Sequence, residues 1–251
     1  PMLGDYVNVG VRTVDNRTDI PKLLSVLKTM GPQDYMHLVW KEDNYPHAWE
    51  DFQLMALQFQ EAGIRLWLCL TPPSEGVPEP YGEDYVKWAL ACSEPAKRYP
   101  IIQGICMDDF NGNVKKFTPV FCQEMMNAAH KNAPHLSLLV VCYYGYQETI
   151  QPHVEAGAID GVIFPYFYPH KNLSDTSRLL PQITTYREWL NEQTKKGGYS
   201  KIMPLMLMVY GVRHSQSTDA PTPDYVKECL EIGLQATKDG FLIGYTRVIY
   251  G

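Results

Sequence analysis

The sequence predicts an α/β fold of the parallel (β/α)8, or TIM-barrel, type, on three observations. Eight short apolar runs alternate with seven helical patterns, and parallel strands need crossovers of that kind. The runs are apolar without a period of two, as strands covered on both faces are. Eight such units in 251 residues match the barrel's usual length of roughly 250. The competing doubly wound sheet lacks its signature, because no Gly-x-Gly-x-x-Gly follows the first strand.

In chain order, Tyr6 to Val11 reads as the first strand. Thr18 to Lys28 follows as a helix: Asp19 can cap it, Pro21 suits its first turn, and leucines recur at helical spacing. Tyr35 to Trp40 is the second strand, and the periodic run from Ala48 is a helix that Gly63 stops. Arg65 to Leu70 is the third strand; a proline-rich loop leads to a helix over Glu83 to Arg98. Ile101 to Met107 is the fourth strand, and Thr118-Pro119 opens a helix that ends near Asn132. Leu136 to Cys142 is the fifth, followed by a helix over Glu148 to Ala156. Gly161 to Phe164 is the sixth, followed by a long helix over Ser177 to Lys196. Ile202 to Val209 is the seventh, Thr222-Pro223 starts a helix ending at Gly240, and Phe241 to Tyr250 is the eighth. No room remains for an eighth helix, which is expected to be missing or atypical. No internal linker appears, so residues 1–251 read as one domain. An uncovered flank between the eighth and first strands would expose apolar surface and allow an oligomer to form there.

Composition excludes several partners. A net charge of −6 argues against nucleic acid and anionic membrane, which both favour basic patches. No apolar run reaches the ~20 residues of a membrane span. No signal-peptide pattern opens the chain. Six cysteines are spread singly, without zinc-ligand spacing. They read as buried free thiols, which leans toward a reducing, cytoplasmic compartment; the compartment is otherwise unknown. No cofactor motif is present.

In a barrel of this type the active site lies at the C-terminal ends of the strands. Those ends carry Asn8 and Arg12, then Lys41, Glu42 and Asp43, then Thr71 and Ser74. Asp108, Asp109 and Asn111 follow the fourth strand, and Tyr143, Tyr144 and Tyr146 the fifth. Tyr166, Tyr168 and His170 follow the sixth, Tyr210, Arg213 and His214 the seventh, and Tyr250 the eighth. Tyrosine rings can stack on sugar C–H faces while the phenol hydrogen-bonds, so this rim reads as a carbohydrate site. Asp108 and Asp109 are its sharpest feature. Successive residues of an extended strand point to opposite faces, but a turn at Asn111-Gly112 can swing both toward the mouth. Neighbouring carboxylates push their pKa values apart, giving one acid and one anion. Adjacent residues do not straddle a glycosidic bond as an ordinary glycosidase pair does. They suit a substrate that supplies its own nucleophile.

The M-D-D-F stretch after the fourth strand resembles the Asp-Asp pair of the O-GlcNAcase and bacterial hyaluronidase-like β-N-acetylglucosaminidases. L-V-W-K-E-D-N-Y-P-H-A-W and G-I-R-L-W-L-C-L-T-P-P are similar to the family's second- and third-strand regions. The resemblance covers about residues 5–115. It implies a glycoside hydrolase acting on an N-acetylhexosaminide by substrate-assisted catalysis. Asp108 would then orient the acetamido group and Asp109 would be the acid/base. Lys41 would contact sugar hydroxyls, and Tyr143, Tyr144 or Tyr146 would support the oxazoline-like intermediate. Asp43, Asn111, Tyr166, Tyr168 and Tyr210 complete the expected sugar contacts. In the second half, F-P-Y-F-Y-P-H and V-Y-G-V-R-H stand where the family has tryptophan-bearing segments.

Four alternatives stay open on sequence. A retaining or inverting glycosidase could draw its second carboxylate from Glu42, Asp43 or Glu148. A metal-assisted hydrolase could hold Mg²⁺ or Ca²⁺ on Asp108, Asp109 and Asp43, with His47 or His170 nearby. A non-catalytic carbohydrate-binding or scaffold barrel fits the altered second half. Lastly, the pair could be a turn cap bridged to Lys115 or Lys116. His37, inside a strand, reads as a satisfied core histidine.

Overall fold

Strands that are apolar on both faces need cover on both sides, and the chain supplies it by following almost every strand with a helix. The computed structural model describes residues 2–7, 12–40, 46–167, 169–200 and 202–249, with backbone alone for 2–7 and 244–249. The strands are β1 (Met2–Val7), β2 (Asp34–Val39), β3 (Arg65–Leu70), β4 (Ile102–Met107), β5 (Ser137–Val141), β6 (Gly161–Pro165), β7 (Leu205–Tyr210) and β8 (Gly244–Ile249). Between them run α1 (Ile20–Met30), α2 (Ala48–Ala62), α3 (Tyr85–Arg98), α4 (Pro119–His130), α5 (Gln151–Glu155), α6 (Leu179–Lys196) and α7 (Pro223–Lys238).

The six strands β2 to β7 form a curled parallel sheet flanked by helices, each strand paired with its neighbours in sequence. The β8 backbone pairs with β7 and with β1, and β1 pairs with β2. The architecture is TIM-barrel-like, with β1 and β8 described by their ladder alone. The first strand lies four residues earlier than the sequence pattern suggests: Gly4 pairs with Asp34 and Val7 with His37. Gly4 and Asp5 weaken the strand signal there, and Asn8 to Val11 lie outside the described residues. The helix expected over Glu148 to Ala156 is a 3-10 turn, Gln147–Ile150, followed by the short α5.

Local chemistry sets the boundaries. Asp19, Asp84, Thr118 and Thr222 each accept a backbone N–H in the first turn of α1, α3, α4 and α7. Gly63 ends α2 in the left-handed region at φ 69°. Gly104 lets β4 close on β5: a Cβ there would lie 2.0 Å from the Ser137 carbonyl oxygen. Behind the mouth, Trp49 and Trp88 meet edge-on at 5.3 Å, packing α2 against α3. All six cysteines are buried free thiols. His37 is buried, its Nε2–H donating to the Ala48 carbonyl at 2.8 Å, and burial pushes its pKa down to about 4. No described helix is long and apolar enough to cross a membrane.

Candidate active site

The site begins where β4 stops. The Asp108 N–H still donates to the Leu70 carbonyl of β3 at 3.0 Å, so the ladder runs one residue past the strand. Asp109 then turns sharply, with φ 36° and ψ 40° in the left-handed region. Among residues with a side chain, Asp and Asn visit that region most readily. The Asp109 N–H donates to Asp108 Oδ1 at 2.8 Å. The next residue, Phe110, is fully buried. It stacks on Phe117 at 5.5 Å and meets His153 edge-on at 5.1 Å. That anchor holds the bend, and both aspartates of the bend line one cavity.

The cavity measures about 260 Å³ and is lined by Leu38, Trp40, Thr71, Glu75, Asp108, Asp109, Tyr143, Met208, Tyr210, Arg213, His214 and Ser215. It draws on the ends of β2, β3, β4, β5 and β7. Glu75 comes from the 3-10 turn Pro73–Glu75 after β3. Its side chain lies beside that of Asp109, and Tyr143 reaches the same cavity from the loop after β5. Burial, then the Asp108 charge, then Glu75 push the Asp109 pKa up to about 8, while the Tyr143 hydrogen bond opposes them. Asp109 is thus a carboxylic acid at neutral pH beside another carboxylate.

The tyrosines divide by environment. The Tyr143 and Tyr210 hydroxyls meet at 3.3 Å at the cavity wall. Burial pushes the Tyr143 pKa far above the ordinary phenol range, with Tyr210 and both aspartates adding to it, so it acts as a neutral hydrogen-bonding group. His214 packs on Phe167 at 4.3 Å and on Tyr210 at 5.2 Å. Its pKa is lowered by burial and by Lys171, with Glu75 opposing. Asn111 does not line the cavity; its Oδ1 accepts the Tyr143 N–H at 3.3 Å and orients that residue. Tyr144 packs edge-on against Tyr186 and tilts on Phe164. Tyr146 is exposed outside the cavity.

Tyr166, expected from the sequence to contact sugar, does not line this cavity. It is fully buried, and its hydroxyl donates to the Asp175 carbonyl at 2.8 Å, inside the loop after β6. Lys41, Asp43 and Tyr168, with Glu42, lie outside the described residues. Lys116 does not bridge to the aspartates; it pairs with Glu83 at 3.1 Å. His47 pairs with Glu50 at 3.5 Å, and His170 packs on the Tyr166 ring at 4.7 Å. Among the described residues no three His, Cys, Asp or Glu side chains are grouped to hold a metal ion. Sequence reasoning missed Glu75 and Trp40. The signal available was positional: β3 is the ladder neighbour of β4, so an acid in its loop faces the Asp108–Asp109 turn.

No family model matches the chain, and no curated protein matches it. Solved structures do. A hyperthermophilic β-glucosidase mutant superposes with a TM-score of 0.63 at 11% identity, covering 98% of this chain and 90% of that one. The Pseudomonas stutzeri endoglucanase Cel5A gives 0.60 at 14% identity, covering 100% and 85%. The carboxyl transferase domain of Rhizobium etli pyruvate carboxylase gives 0.57 at 11% identity, covering 98% and 39%. At such identities the likeness is one of fold, a TIM-barrel-like fold found in several distant glycoside hydrolases and beyond them.

Proposed function

We propose that this chain is one (β/α)8 domain acting as a glycoside hydrolase, with an N-acetylhexosaminide as substrate and substrate-assisted catalysis as its mechanism. The observation that supports this most is the Asp108–Asp109 bend, whose two acids both line one cavity at the strand ends. The fold likeness to a β-glucosidase and an endoglucanase supports carbohydrate hydrolysis in general. The N-acetyl specificity rests on the paired aspartates and the sequence resemblance.

In this reading the sugar's acetamido oxygen attacks its own anomeric carbon, and Asp108 accepts the acetamido N–H, sharpening that nucleophile. Asp109, protonated at neutral pH, gives its proton to the departing glycosidic oxygen. It then takes a proton from the water that opens the cyclic intermediate. Tyr143 donates toward that intermediate, Tyr210 holds the Tyr143 hydroxyl, and Lys41 and Asp43 contact sugar hydroxyls. A cavity of about 260 Å³, just below the roughly 300–1,000 Å³ of most small-molecule sites, suits one sugar ring. The Glu75–Asp109 contact argues against a two-carboxylate glycosidase built on that pair. Such acids stand about 5–5.5 Å apart, or about 6.5–9.5 Å, with the scissile bond between them.

The test is hydrolysis of aryl N-acetyl-β-glucosaminides by the wild type and Asp109→Ala. With a poor leaving group the variant should lose roughly 10²–10⁴-fold in kcat/KM; with dinitrophenolate, which needs no proton, the loss should nearly vanish. An equal loss on both, or none, removes Asp109 as the general acid. Equal hydrolysis of the matching glucosides by the wild type removes the acetamido group from the mechanism.

A further inference from the structure

We propose that Glu75 is the positioning residue that keeps the catalytic proton on Asp109. This rests on the reading of Asp109 as general acid and goes beyond it, by assigning a role to an acid in another loop.

The geometry comes first. Glu75 and Asp109 line the same cavity, their carboxyl groups side by side next to Asp108. Asp109 sits in the bend with Asp108 beside it, whereas Glu75 keeps an exposed outer face. Enclosure, the Asp108 charge and Glu75 all favour the neutral form of Asp109. The proton therefore stays on Asp109, with Glu75 beside it.

Both loops are built to hold that contact. The Trp40 indole N–H donates to the Glu75 carbonyl. The Glu75 N–H donates to the Pro72 carbonyl at 3.0 Å, and the Thr71 hydroxyl to the Gly76 carbonyl at 2.8 Å. The Asn113 amide then bridges the loops, donating to Ser74 Oγ at 2.8 Å and to the Asp109 carbonyl at 2.9 Å. An acid in an ordinary surface turn needs no such bracing. The charged and titratable groups around the pair are Asp108 on its own turn, Tyr143 from the β5 loop, and Tyr210, Arg213 and His214 from β7 and its loop. Of these, Asp108 reinforces the proton and Tyr143 opposes it.

The consequence is a sign that can be measured. Glu75→Gln keeps the shape but removes the charge, and its amide can donate to an ionised Asp109. The variant should release the Asp109 proton at lower pH. The primary measurement is the ¹³C carboxyl shift of Asp109 against pH, its signal identified by its loss in Asp109→Asn. The midpoint should fall by about one unit or more in Glu75→Gln and rise in Tyr143→Phe, which loses the opposing donor. The alkaline limb of kcat/KM on a poor leaving group should move the same way. Rates should converge with wild type at low pH and match it at every pH with dinitrophenolate leaving. An unchanged Asp109 midpoint overturns the assignment, as does a loss in rate that is equal at all pH values and for both leaving groups. The carboxyl titration needs no turnover. A shifted midpoint with no leaving-group effect in Asp109→Ala would therefore sink the proposed function and leave the Glu75 contact standing.

Discussion

Asp109 holds two uncomfortable features in one residue: a left-handed backbone and a carboxyl that keeps its proton near neutrality. Such strain persists only where the surroundings over-determine it, and here the buried Phe110 and the Asn113 bridge do so. The proton makes stability depend on pH with a definite sign. Its folded pKa of about 8 stands above the ordinary 3.8, so between those values the folded chain binds more protons than the unfolded one. The contribution of Asp109 to stability then falls as pH rises from about 4 to about 8 and levels off above. Asn is isosteric with the protonated acid, tolerates the left-handed bend and does not titrate. Asp109→Asn should therefore match the wild type in melting temperature near pH 4. Near pH 8 it should exceed it by several degrees, on the order of 2–4 kcal/mol at about 1.4 kcal/mol per pKa unit. Calorimetry of both proteins at the two pH values reads the difference; a gap that stays constant with pH would mean the buried proton is not there. The pair itself is legible in the sequence, because two acids at the end of an apolar run break a pattern. Glu75 is not, since an acid in P-P-S-E-G reads as an ordinary surface turn until the strand order brings it beside Asp109.

At the scale of elements, the strands and helices were readable wherever a cap or a periodic face marks them. Pro119 and Pro223 lie just inside helices whose threonine caps precede them, and those starts agree with the pattern. The misses follow from weak local signals. β1 carries Gly4 and Asp5, and α5 is cut short because Pro152 stands in its first turn and Gly157 lies just beyond its end. Which tyrosine faces the cavity was not readable at all, because the sequence marks a loop and not a direction. Tyr166 and Tyr210 both stand at the end of a strand, yet the first turns into the β6 loop and the second lines the mouth. The contact between two loops is equally invisible, and Asn113 carries it. Asn113→Ala removes donors to Ser74 and to the Asp109 carbonyl. Urea denaturation should show a loss of about 1–2 kcal/mol. Because the loops would drift apart, kcat on a poor leaving group should fall further than KM rises. A variant with unchanged kcat would show that the bridge serves stability alone.

At the scale of the whole molecule, two charged clusters stand at opposite ends of the strands. The acid cluster sits where the strands finish, and a buried ion pair sits where β2 and β3 begin. Asp34 is fully buried, and Arg65 grips it at 2.9 Å and 2.6 Å while the Trp67 indole donates to it at 3.0 Å. Asp34 and Arg65 are direct ladder partners at the first residue of each strand. Six residues of strand put about 20 Å between the two ends, too far for shared contacts. Replacing Arg65 by Met keeps the stem and removes the charge, leaving the buried Asp34 carboxylate with the Trp67 indole still donating to it. Breaking a buried pair on one side costs about 3–5 kcal/mol, and the partly exposed Arg65 side chain, at 35%, brings the expectation down to about 2–3. Denaturant unfolding should report that loss, while kcat/KM per folded molecule stays at the wild-type value at every pH. The reverse pattern, a stable protein with an altered pH profile, would mean that charge at the base of the sheet is felt at its mouth. In that case the acid cluster could not be treated as a local device of three loops.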